Sequence, residues 1–108
     1  MSDSVFYLSD FALKVPLADL LPDGLDPASV DFSISISAGC REVLAERSRG
    51  RLSAGLSGPD ENGVMTLLIR KHHFPPGIPL VGILRVYPMW PGRPAIVRSF
   101  PVNLVLSE

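Results

Sequence analysis

Residues 31–37 read Asp-Phe-Ser-Ile-Ser-Ile-Ser, and this run constrains the fold more than any other part of the chain. Phe32, Ile34 and Ile36 fall on one parity; Ser33, Ser35 and Ser37 fall on the other. Successive side chains of an extended chain point to opposite faces. The run is therefore a strand with one oily face and one face of small hydroxyls. A helix would scatter the same serines around its whole circumference. The oily face needs a second apolar layer laid against it, which sets the architecture to be sought.

The same alternation recurs elsewhere. Residues 11–15 place Phe11, Leu13 and Val15 inward, and Pro16 then weakens further ladder pairing. Residues 17–21 read as a short turn or helical wind ahead of the turn signal Pro22-Asp23-Gly24. Residues 64–70 follow Asn62-Gly63, a pair that readily takes positive φ in a hairpin. Met65, Leu67 and Ile69 share one face and Val64, Thr66 and Leu68 the other, so this strand is expected in the centre of its sheet. Residues 51–56 are expected to pair with it across the loop 57–63. Residues 80–87 carry Leu80, Leu84 and Val86 on one parity, with Gly82 leaving a gap there for a neighbouring ring or backbone. Residues 96–106 place Phe100, Val102, Leu104 and Leu106 together, and Pro101 marks an edge strand or a bulge. In residues 40–51, Val43 and Leu44 with Arg41, Glu42, Glu46 and Arg47 could make two helical turns, but so short a helix is marginal in water, and a strand over 41–45 ended by a turn at Ser48-Arg49-Gly50 is preferred.

The 11 prolines and 9 glycines act as punctuation between these runs. Six or seven short strands in 108 residues make one all-β domain, a sandwich first and a small barrel as the alternative. A net charge of −1 supplies no strong field for nucleic acid or anionic lipid, and it makes self-association electrostatically cheap. The single Cys40 excludes an internal disulfide and reads as a small buried hydrophobe. No basic n-region opens the chain and no apolar run approaches a membrane span. Cytoplasmic synthesis without a signal peptide is expected, with no membrane partner.

Few constellations invite chemistry. His72-His73 are adjacent, so on a strand they point apart and do not share an ion; one packed and one exposed histidine at a strand end is expected, with no metal or other cofactor. Asp60-Glu61 sit beside Pro59 and Asn62-Gly63, in the composition of a solvated turn. No nucleophile elbow and no phosphate-binding loop is present, so no catalytic residue is assigned and enzyme activity is not expected. Arg41, Arg47, Arg49 and Arg51 alternate with Glu42 and Glu46. They lack interleaved aromatics to stack bases, and read as a charged hairpin that does not bind nucleic acid. The candidate interaction surface is Tyr87, Met89, Trp90 and Arg93, where aromatics of the kind enriched in interfaces are braced by prolines. Its partner is expected to be protein, self or other, with carbohydrate stacking on Trp90 and Tyr87 as the alternative.

The segment from Glu61-Asn62-Gly63-Val64 through Arg70-Lys71-His72-His73-Phe74-Pro75-Pro76-Gly77 to Leu80 runs from an apolar strand through a histidine-hydrophobic-glycine segment into a second strand. In this it resembles small Bacteroides prophage-type immunoglobulin-like proteins, similar in plan to the N-terminal domain of phage baseplate upper proteins. Val30-Asp31-Phe32-Ser33-Ile34 and Phe100-Pro101-Val102-Asn103-Leu104 fit the same layout, while the Pro75-Pro76 pair and the loop around Trp90 depart from it. The resemblance implies an immunoglobulin-like antiparallel sandwich and a structural role in a virion, tail or baseplate, with no catalytic residues; a module of that kind is expected to be a homo-oligomer in solution.

Overall fold

The computed structural model describes residues 3–6, 8–22, 24–87 and 96–107. Among the described residues nine strands and one helical turn follow in order: β1 (Asp3–Phe6), β2 (Phe11–Val15), α1 (Leu17–Leu20), β3 (Asp31–Ala38), β4 (Arg41–Ser48), β5 (Arg51–Leu52), β6 (Leu56–Ser57), β7 (Met65–Ile69), β8 (Pro79–Tyr87) and β9 (Ile96–Ser107). They form two sheets, one ordered β1-β9-β8-β3-β4-β5 and the other β2-β7-β6. All pairings are antiparallel except β1 with β9. The protein is an all-β sandwich, and its two separate sheets exclude the closed barrel.

The strand order is that of a variable-type immunoglobulin sandwich: B-E-D in the small sheet, G-F-C-C′-C″ in the large one. The inter-sheet disulfide of antibody domains has no counterpart, because Cys40 is the one cysteine. Burial of side chains takes its place. Phe32, Ile34 and Ile36 of β3, Leu84 and Val86 of β8, and Met65, Leu67 and Ile69 of β7 are all buried between the sheets. Each lies on the inward parity of its strand, which is why the alternation in the sequence predicts the core. Leu17 of α1, Leu21 just after it and Phe74 are buried in the same core.

Several expectations change in detail. Nine strands among the described residues replace the six or seven expected, because β1, β5 and β6 are too short to show a period. Residues 51–56 do not form one strand. β5 pairs with β4 in the large sheet, whereas β6 has crossed to pair with β7 in the small one. The turn before β7 holds positive φ at Gly63 and not at Asn62. A hydrogen bond from the Gly63 N–H to the Asp60 carbonyl (3.0 Å) closes that turn instead. Cys40 is exposed, not buried, because Gly39 and Cys40 form the tight turn between β3 and β4. β7 is central, as its two apolar parities suggest. β9 divides into two halves: β1 covers residues 104–107, while no described strand covers residues 96–103 on that side. Pro101 sits in the uncovered half, close to a register shift opposite residues 79 and 80. Among the described residues, no helix is long and apolar enough to cross a membrane.

Candidate interaction surface

The outer face of the large sheet carries the site. Strand register fixes its composition row by row. Val97, Arg85, Ser33 and Glu46 lie side by side across β9, β8, β3 and β4. The adjacent row is Ser99, Ile83, Ser35 and Leu44. Beyond it Val81, Ser37 and Glu42 line up. The serines of β3 thus form a strip of small side chains down the middle, with larger groups on both sides.

Four apolar side chains stand out of this face unusually far. Leu44 is 67% exposed, Val97 59%, Val81 50% and Tyr87 45%. Scattered single apolar residues are ordinary on a protein surface; these four share one sheet face. Tyr87 and Arg85 on one side and Leu44, Glu46 and Ser53 on the other border a depression of about 400 Å³ over Ser33.

The polar groups of the face are largely satisfied within the chain. The buried Ser35 hydroxyl donates to Glu42 Oε2 at 2.8 Å. The Ser33 and Tyr87 hydroxyls lie 3.4 Å apart. Ser53 Oγ accepts the Glu46 backbone N–H at 2.9 Å, which holds the chain after β5 against β4. Asp10 and Arg70 form the one side-chain ion pair among the described residues, at 3.5 Å on another surface. Arg85, Glu42 and Glu46 therefore carry charges that no opposite side-chain charge in the described structure meets.

Of the four residues singled out in the sequence, Tyr87 belongs to this face; Met89, Trp90 and Arg93 lie outside the described residues. Sequence reasoning missed Leu44, Val81 and Val97. Their parity places them opposite the core, but only the register shows that they share one face. The basic cluster is the expected hairpin. Arg49 and Gly50 both adopt positive φ, 53° and 78°, in the turn between β4 and β5. The Asp31 carboxylate accepts both their N–H groups, at 3.1 and 3.4 Å.

The histidines divide as expected. His72 is exposed at the end of β7, whereas His73 is half-buried. The His73 ring packs edge-on against Phe74, centroids 4.8 Å apart, and its Nε2 lies 2.9 Å from the Glu42 carbonyl oxygen. Both border a second groove of about 440 Å³ with Cys40, Arg41 and Ile78. Among the described residues no three His, Cys, Asp or Glu side chains converge as metal ligands would.

Comparison with protein families, with curated proteins and with solved structures found no match to this chain.

Proposed function

We propose that this domain is a non-enzymatic assembly module that works through protein–protein contacts on the outer face of its large sheet. The observation that carries the reading is the exposed set Leu44, Val81, Tyr87 and Val97 around a strip of serines. Such a face presents apolar area and gives up little side-chain entropy when covered, since serine has few rotamers to lose. The setting implied by the resemblance in residues 61–80 is a phage or prophage particle, where a small sandwich serves as a tail or baseplate component.

Light scattering across a range of protein concentrations tests the reading. The expected result is a mass above that of the monomer, reduced towards monomer by Leu44→Asp. Leu44 is exposed, so this change leaves thermal stability within about 0.5 kcal/mol. A monomer at every concentration refutes self-assembly.

One observation favours a second reading, a carbohydrate-binding module. Tyr87 stands beside Ser33, Ser53, Glu46 and Arg85 around the depression, an aromatic plane among hydroxyl and charged partners. Calorimetric titration with a glycan panel separates the two: heat that Tyr87→Ala abolishes supports sugar binding, and none across the panel removes it.

A further inference from the structure

We infer that the occupant of this face is a second copy of the chain, docked about a two-fold axis parallel to β3. The inference rests on the assembly reading and adds the partner, the symmetry and the residue pairs that meet.

The register carries the argument. Neighbouring strands lie about 4.8 Å apart, so in every row the β8 and β4 residues flank β3 at equal distances. A half-turn about an axis along β3, just above the face, exchanges left and right within a row and keeps its level. Arg85 of one copy then lies over Glu46 of the other, and Glu46 over Arg85. In the adjacent row Ile83 lies over Leu44, twice. Charge meets opposite charge and apolar meets apolar, as an isologous interface requires. Val81 lies over Glu42, whose carboxylate is drawn aside by the Ser35 hydroxyl. The serine strip lies on the axis itself, so the depressions over Ser33 of the two copies face one another while the larger flanking side chains make the contacts.

The other in-plane axis fails on the same rows. A half-turn about a line across the strands at the Leu44 row stacks β4 on β4 and sets Glu42 of each copy against Glu46 of the other. A foreign partner has no reason to match the rows in both directions; a second copy about the first axis matches them by construction. The charges are also available: neither Arg85 nor Glu46 is in an ion pair within the described structure. A net charge of −1 adds little repulsion between copies.

Sedimentation velocity on Arg85→Glu, Glu46→Arg and the double variant tests this. Both residues are exposed, and melting curves confirm that each variant folds. Each single reversal brings like charges together twice and is expected to weaken the dimer at least about tenfold. The double variant, and an equimolar mixture of the two singles, restore wild-type association, because opposite charges again meet. In a Cys40→Ser background, a short bismaleimide is expected to join two copies through Ser33→Cys and not through Thr66→Cys on the opposite sheet. A dimer indifferent to the reversals, or not restored by the double variant, overturns the face and axis while leaving the assembly reading standing. A wild-type monomer at every concentration overturns both.

Discussion

Replacing Gly82 by alanine adds one methyl group at a place the Phe100 ring already occupies. Gly82 faces the core from β8, directly across from Phe100 in β9. A Cβ there meets ring atoms Cε2 and Cζ, with Cδ2 at 2.8 Å. Carbon atoms rest about 3.5–4.0 Å apart, so the ring must retreat by about 1 Å. It has little room, because Phe100 is buried and Ile36, the other cross-strand neighbour of Gly82, is fully buried. Overpacking of this kind costs about 1–3 kcal/mol. Expelling the ring instead gives up about 1.5–3 kcal/mol of apolar burial. The backbone of Gly82 is not left-handed, so alanine adopts it and returns about 0.4–1 kcal/mol through the unfolded chain. The net expectation is a loss of about 0–2.6 kcal/mol, with a midpoint of about 1.3. Urea denaturation followed by far-ultraviolet circular dichroism measures it, with a fall in Tm of about 4 °C or more per kcal/mol. Phe100→Leu removes the offending ring atoms, so in that background the penalty should shrink by at least about 0.5 kcal/mol. An alanine variant more stable than the parent, or a penalty undiminished by the Phe100→Leu change, would refute the close approach.

Other outcomes follow from single features of the fold. Ile36→Ala should lower stability by about 2–5 kcal/mol in urea, because a fully buried side chain on the central strand is lost. Arg49→Asn should raise it by about 0.5–1 kcal/mol, since Asn takes the positive φ of the β4–β5 turn more readily and the backbone N–H to Asp31 is retained; a drop in the urea midpoint would count against that turn. The Asp60 carboxylate accepts the N–H groups of Val64 at 2.9 Å and Asn62 at 2.8 Å. The Val64 bond lowers its pKa below the usual 3.8 most strongly; desolvation opposes this, and the Asn62 bond and the Lys14 charge add to it. A depressed folded pKa means that the stabilisation is complete above 3.8 and fades as pH falls through the folded value. The stability difference between the wild type and Asp60→Asn should therefore close on acidification below 3.8, and a difference constant with pH would contradict it.

The sequence displays whatever depends on local alternation and hides whatever depends on long-range register. β3 and the long apolar runs were legible because the core side of a strand repeats every second residue. The gap at Gly82 was legible as a space for a ring, though the ring's identity was not. β5 and β6 have two residues each, too few to show a period, so the crossing from one sheet to the other between them left no mark. Cys40 misleads because side-chain type argues for burial, while the turn between two long strands puts it in solvent. The outer face was half visible. Parity puts Ser33, Glu46 and Arg85 away from the core, but only pairing shows that they share a row.

A face that is to be covered by another protein must not strand its own polar groups. An unpaired buried hydroxyl or amide costs about 1–3 kcal/mol, enough to cancel the gain from an exposed leucine. Here the chain answers that demand before any partner arrives. Ser35 is already bonded to Glu42, Ser33 lies against the Tyr87 hydroxyl, and the Glu46 N–H is held by Ser53. The partner then has to meet the charges of Arg85 and Glu46, and of Glu42, which the Ser35 hydroxyl already bonds, while covering Leu44, Val81 and Val97. Association strength comes from the apolar group and choice of partner from the charged pair. Charge reversals at Arg85 and Glu46 should therefore change which copies pair, whereas Leu44→Asp should weaken every pairing alike.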